Sequence, residues 1–358
     1  MEDIQVFDFK VSSSLDDYEV KFINNSFDII TSSLSAGDVI IIDNSIILHY
    51  PEIKKVINQY KIITLEANEK NKSYEGIVPI INELMNNNFK KNNKLVAIGG
   101  GITQDITAFI ASILYRGVKW VFFPTTLLSQ GDSCIGSKTS INFREFKNQV
   151  GGFYPPEKIF IDLNFLKTLP LKDLKSGLGE MCHYFIIAGE VEFKEYKRDY
   201  KKALNDKKTL SKMICNSLKI KKSLIEIDEF DRNQRQIFNY GHSFGHAIES
   251  LMNYTIPHGI AVSFGMDIAN FISVKKGYLS ISVRNEIRGL LVQIWDGFNI
   301  KSISIEKFIQ ALSRDKKNVG EELRLILCKG YGEVFKDPQI KDEAFKGWLK
   351  EYFETQLT

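Results

Sequence analysis

Short apolar runs alternate with helical patterns through the first half of the chain, and this alternation restricts the fold more than any other feature. The runs VIIIDNS (39–45), IITLEA (62–67), KLVAIGGG (94–101) and WVFFPTT (120–126) are rich in β-branched and aromatic residues. They predict a parallel sheet wound with helices. Several are apolar throughout, as strands are when both faces of a sheet are covered. A further strand, IFIDL (159–163), lies between Pro155-Pro156 and Pro170, which punctuate a crossing. After about Leu166 the strand signals fade, and long amphipathic patterns such as Leu174 to Tyr200 and Leu210 to Ile227 take over. The expectation is an α/β chain with a parallel-sheet domain (1–165) followed by a mainly α-helical domain (166–358).

Length agrees, since 358 residues exceed what one core normally holds. The 47 basic and 44 acidic residues are spread along the chain, so a nucleic-acid partner is not implied. The densest basic run, Lys194 to Lys212, is interleaved with acids and apolar residues at helical spacing and reads as a solvated helix face. Four cysteines stand far apart without a CxxC pair, which argues against a structural zinc site or a disulfide framework and fits a reducing compartment. The N-terminus lacks a basic region followed by an apolar core, and no window approaches about 18 uninterrupted apolar residues. A cytoplasmic protein without a membrane partner is expected.

Three motifs carry chemistry. Gly99-Gly100-Gly101 falls between a strand and the helical run ITQDITAFIASILY, where backbone N–H groups and a helix N-terminus favour a pyrophosphate. The spacing is not GxGxxG, so a tight turn explains it equally. Thr125-Thr126 follows the strand WVFFP, where open α/β sheets place ligands, although such a pair can also cap a helix. Three of the five histidines lie in NYGHSFGHAIESLMNYTIPHG (239–259). His242 and His246 share one helical face, and His258 follows Pro257, where another helix can begin. This grouping predicts a site rather than packing alone. The metalloprotease pattern HExxH is excluded, because Ser243 stands where the general base is needed.

Several separated motifs together resemble the 3-dehydroquinate synthase family of sugar-phosphate cyclases: GGGITQD (99–105), YRG (115–117), PTTLLSQGDSCIGSKT (124–139), FKNQVGGFYPP (146–156), GLGE (177–180), NYGHSFGHAIE (239–249), HG (258–259) and DKKN (315–318). They occur in the family's order, from roughly Asp43 to Gly332. The resemblance implies that the first domain is a Rossmann-like NAD-binding domain and the second binds a divalent metal, zinc first and cobalt as the alternative. Glu180, His242 and His258 are the implied metal ligands, and this Glu-plus-two-His set suits an open zinc site. Asp43, Glu69, Lys72, Gly99, Gly100, Gly101, Asp105, Thr125 and Thr126 match positions around NAD. His246, Lys138, Asp132, Arg235 and Lys221 match catalytic positions, and Lys147, Asn148, Asn239, Lys316 and Lys317 match substrate positions. Arg116 is implied to reach the phosphate in the neighbouring subunit of a homodimer. Basic residues suit a phosphorylated sugar acid, because Arg and Lys clamp carboxylate and phosphate.

One departure bears on the substrate. The family carries a lysine three residues after the ligand glutamate, where this chain has His183, a shorter side chain with fewer donors. The loop DSCIGSKT and the pair Gln104-Asp105 also differ from the usual pattern. The expected activity is conversion of 3-deoxy-D-arabino-heptulosonate 7-phosphate to 3-dehydroquinate and phosphate. The alternatives are an inosose- or valiolone-type cyclase using glucose 6-phosphate or sedoheptulose 7-phosphate, a metal-dependent polyol dehydrogenase, or a non-catalytic relative.

Overall fold

The computed structural model describes residues 4–58, 60–144, 146–313 and 322–357. Its strands are β1 (Phe9–Val11), β2 (Tyr18–Phe22), β3 (Val39–Asp43), β4 (Lys61–Leu65), β5 (Leu95–Gly99), β6 (Trp120–Pro124), β7 (Lys138–Phe143), β8 (Phe146–Phe153), β9 (Lys158–Ile161), β10 (Leu323–Gly330) and β11 (Glu333–Gln339). The chain divides into two compact units. One runs to Pro170 and also takes Ile214–Phe230, a segment that the sequence reading assigned wholly to the second domain. The other comprises Leu171–Met213 and the chain from Asp231 onward.

In the first unit a seven-stranded sheet has the order β1-β2-β9-β6-β5-β3-β4. All neighbours are parallel except the edge pair β1 and β2. The five strands read from the sequence are β3, β4, β5, β6 and β9. Every residue of β5 and β6 is buried, which is why their sequences lack polar alternation. Ile40 and Ile42, Val96 and Ile98, and Val121 and Phe123 project to one face and form a core cluster with Ile30, Ile53 and Phe160. The strand order reverses between β3 and β5, so their carboxyl ends flank the crevice where open α/β sheets bind ligands.

The antiparallel hairpin β7–β8 was not read from the sequence. Its second strand, FKNQVGGF, has no fully buried residue and so no apolar alternation to betray it.

The second unit is built round the helix His258–Lys275, whose residues Gly259 to Ser273 are all buried. A helix that is apolar on every side belongs in the middle of a bundle. Helices Leu171–Ala188, His242–Leu251 and Ile281–Trp295 pack on it. Its one buried acid, Asp267, meets Arg284, Arg288 and the Tyr352 hydroxyl. The amphipathic stretch Leu174 to Tyr200 is two helices, because Gly189, at φ +142°, interrupts it before Glu190–Ala203. That second helix buries Phe193, Tyr196 and Tyr200 and turns its lysines outward, as a solvated basic face should. The unit also holds the hairpin β10–β11, a correction to the fading of strand signals after Leu166. Among the described residues no helix is long and apolar enough to cross a membrane.

Candidate active site

In the second unit, backbone contacts too close for any side chain bring together the helices that carry candidate metal-binding groups. An added Cβ on Gly259 would lie 1.9 Å from the Ser176 carbonyl oxygen, and one on Gly179 would lie 2.3 Å from the Gly259 carbonyl oxygen. Helix Leu171–Ala188, which carries Glu180, thus touches the first turn of the helix that begins with His258. Ser176 Oγ also accepts the Gly259 N–H at 3.0 Å. Gly241, left-handed at φ +82°, turns the chain from the short helical turn Gln234–Asn239 into helix His242–Leu251.

The result is a buried carboxylate between two imidazoles. His242 Nε2 lies 3.1 Å from Glu180 Oε1, and His258 Nε2 lies 3.4 Å from Glu180 Oε2. One ligand atom from each of the three falls within 4.8 Å of the others. Burial alone would raise the Glu180 pKa, but His242 and His258 beside it hold it well below the usual carboxylate range. The far side of each ring is engaged too. His242 Nδ1 is 3.3 Å from the Tyr240 carbonyl oxygen, and His258 Nδ1 is 2.9 Å from Glu249 Oε2. Both partners accept, so both Nδ1 atoms donate. Where a metal replaces the ring protons that lower the Glu180 pKa, both Nε2 lone pairs are left directed to the side of the Glu180 oxygens, and the cation relieves that opposition of acceptors. The donor set therefore fits a metal of the zinc type.

His246 follows His242 by one turn and is solvent-exposed, its ring centroid 5.6 Å from that of His258. His183 is fully buried, with its ring over Tyr184 at 3.9 Å between centroids and edge-on to His242 at 5.3 Å. Arg235 is buried and Asn239 donates to the Gln236 carbonyl, both on the turn Gln234–Asn239. Lys316 and Lys317 lie outside the described residues.

The first unit holds the dinucleotide candidates. Asp43 ends β3 and caps the next helix by accepting the Ser45 N–H at 2.9 Å. Gly99 ends the neighbouring β5, and Gly100 precedes the 13-residue helix Gly101–Ile113 without any side chain capping it. A Cβ on Gly99 would meet Thr103 Oγ1 at 2.3 Å, so the protein's own turn explains that glycine. Gly101 has no such crowding, and the uncapped helix start suits an anion. Thr125 is buried with its N–H on the Gly99 carbonyl, while the Thr126 and Ser129 hydroxyls meet at 2.8 Å.

Two polar groupings flank these strand ends. Lys72 pairs with Asp105 and donates to Asn148 Oδ1 at 2.7 Å. Burial raises the Asp105 pKa even with this ammonium beside it. Asn142, missing from the sequence-derived set, ties the loop to the hairpin. It receives the Asn148 N–H, donates its own N–H to the Lys72 carbonyl, and reaches Glu69 Oε2 at 2.8 Å. Lys147 lies 3.3 Å from Glu69. Separately, Lys221 donates to Asp132 Oδ1 and to its carbonyl, both at 2.7 Å. Lys138 begins β7 and is exposed. Arg116 is exposed on a turn where Tyr115, Arg116 and Gly117 all have positive φ.

Residues 62–176 match the family model described as 3-dehydroquinate synthase N-terminal, and residues 177–318 match 3-dehydroquinate synthase C-terminal. The chain belongs to the 3-dehydroquinate synthase family. It is 38% identical over 310 residues to 3-dehydroquinate synthase from Dictyoglomus turgidum, covering 84% of this chain and 87% of that protein. In fold this family member is similar to 2-epi-5-epi-valiolone synthase from Streptomyces hygroscopicus subsp. jinggangensis 5008, solved with NAD+ and Zn2+ bound (TM-score 0.85, 21% identity, 97% of this chain and 99% of that one). It is also similar to 2-deoxy-scyllo-inosose synthase complexed with carbaglucose-6-phosphate, NAD+ and Co2+ (TM-score 0.81, 21% identity, 97% and 99%). At that identity the two structures establish the fold alone. Membership of the 3-dehydroquinate synthase family makes the chain an enzyme of the cyclase type.

Proposed function

We propose that the chain converts 3-deoxy-D-arabino-heptulosonate 7-phosphate to 3-dehydroquinate and inorganic phosphate, with no net oxidation or reduction. The observation that carries this reading is the Glu180–His242–His258 cluster within a chain that matches the family from residue 62 to 318. A bound nicotinamide dinucleotide supplies a reversible hydride acceptor, and a divalent cation, zinc in the first instance, supplies Lewis-acid polarisation of a substrate hydroxyl.

The residues divide the remaining work. Asp43, Glu69, Lys72, Asp105, Thr125, Thr126 and the Gly99–Gly101 turn hold the dinucleotide. Glu180, His242 and His258 hold the cation. Lys138, Lys147, Asn148, Lys221 and Arg235 bind the charged ends of the substrate, Lys221 being aimed by Asp132. Asn239 and the lysines at 316 and 317 join them. Phosphate leaves by β-elimination, its own oxygen taking the neighbouring C–H proton as the C–O bond breaks, and His246 at its exposed imidazole relays that proton onward. Intramolecular aldol closure then forms the carbocycle. Arg116, exposed on its strained turn, serves the neighbouring site of a homodimer, and the enzyme works in the cytoplasm.

His183 favours one second reading, a cyclase for another sugar phosphate, because a buried imidazole replaces the lysine expected at that position. Incubating metal-loaded protein and NAD separately with 3-deoxy-D-arabino-heptulosonate 7-phosphate, sedoheptulose 7-phosphate and glucose 6-phosphate discriminates the two. Phosphate release and the mass of 3-dehydroquinate from the first alone are expected. Turnover of either of the others in its place would transfer the activity to the second reading.

A further inference from the structure

Glu249 belongs to no sequence-derived role, yet it lies on the same face of helix His242–Leu251 as His242 and His246, at the spacing i, i+4, i+7. Its Oε2 is 2.9 Å from His258 Nδ1, while Nε2 of that ring is turned to Glu180. Glu249 is mostly buried, its side chain 14% exposed, and the His258 side chain is 30% exposed. Asn253 and Tyr254, both at positive φ, return the chain from the end of the Glu249 helix to His258, and the Tyr254 N–H bonds the Glu249 carbonyl at 2.8 Å. The connection thus anchors the chain leading to His258 on the backbone of the turn that carries Glu249.

We propose that Glu249 is a positioning residue for the metal ligand His258. Its carboxylate keeps the proton on Nδ1 and the ring plane fixed, so Nε2 presents its lone pair beside Glu180, and its charge makes that nitrogen a stronger donor. His242 obtains the same orientation from the neutral Tyr240 carbonyl, so the two imidazoles are held by partners of different charge. This role rests on the metal-site reading above. A competing arrangement uses the same atoms otherwise: His246, Glu249 and His258 also bring ligand atoms within 4.8 Å of one another and could hold a second ion. The hydrogen-bond distance from Glu249 to His258 favours the orienting role.

The test titrates zinc into metal-stripped full-length protein in competition with a chromophoric chelator, for wild type, Glu249→Ala and Glu249→Gln. The cobalt-loaded forms give the visible absorption spectrum, and thermal unfolding is measured without metal. We expect one equivalent of zinc in wild type, an affinity about 10–100-fold lower in Glu249→Ala, and a smaller loss in Glu249→Gln, whose amide oxygen still accepts from Nδ1. The cobalt spectrum should change in Glu249→Ala while metal-free unfolding stays close to wild type. If wild type binds zinc and both variants bind it equally tightly with an unchanged cobalt spectrum, the positioning role is wrong. Two equivalents in wild type with one lost in Glu249→Ala would make Glu249 a ligand and also overturn it. Wild type that takes up no zinc overturns the metal site itself and this role with it.

Discussion

At the scale of single residues, the Glu180–His242–His258 cluster owes its order to what stands behind each side chain. Glu180 enters the grouping only through the resemblance, since nothing in GLGE by itself signals a site; His242 and His258 were singled out by spacing, one from a shared helical face with His246 and the other from a proline-marked helix start, and the structure brings all three side chains together. Glu249 was overlooked although its spacing from His242 was available, because a lone acid on a helix usually faces water. His183 separates this chain from the family pattern, and its burial between Tyr184 and His242 makes it part of the packing round the cluster. A lysine there has a longer stem and three donors, and the resemblance implies that it reaches the substrate. His183→Lys is therefore expected to raise kcat/KM for 3-deoxy-D-arabino-heptulosonate 7-phosphate. Unchanged or lower turnover in steady-state assays would mean that the imidazole is already matched to this chain's own substrate.

At the scale of elements, close approach and loop anchoring decide more than propensity does. Gly259→Ala places a methyl 1.9 Å from the Ser176 carbonyl oxygen and 2.7 Å from the Glu180 amide nitrogen. The two helices must separate, so a loss of about 3 kcal/mol in denaturant unfolding, with weaker zinc binding, is expected. Gly289→Ala, on helix Ile281–Trp295 with nothing within 4 Å, should instead gain about 0.5–1 kcal/mol. Glu229 anchors the segment before β2, accepting from the Ser13 hydroxyl and from the Ser14 hydroxyl and amide, and it also takes the Ser137 hydroxyl. Burial would raise its pKa, but these hydrogen bonds, led by Ser13 and Ser14, lower it. Folding then favours the charged form, a contribution complete above the ordinary carboxylate range and lost as pH falls through the lowered value. Glu229→Gln should cost about 2 kcal/mol near neutral pH. The difference from wild type should shrink below about pH 4. A pH-independent difference would assign the loss to packing.

At the scale of the whole molecule, the two-part plan was legible because buried parallel strands and amphipathic helices leave opposite periodicities in the chain. The buried runs at β3, β5 and β6 could hardly be anything else. What escaped was structure held by polar contacts or by distant sequence. The hairpin β7–β8 depends on bonds from Asn142 and Asn148 to a loop some seventy residues earlier. Ile214–Phe230 joins the first unit through contacts such as Ser217 to the Gly131 carbonyl and Lys221 to Asp132, which no local pattern reveals. The central claim, cyclisation with phosphate loss and no net redox change, is tested most directly by following inorganic phosphate and reduced nicotinamide together during turnover of 3-deoxy-D-arabino-heptulosonate 7-phosphate. The account predicts that phosphate accumulates far beyond the enzyme present while reduced nicotinamide does not build up. Reduced nicotinamide formed in step with substrate consumption, without phosphate, would contradict it and identify a dehydrogenase instead.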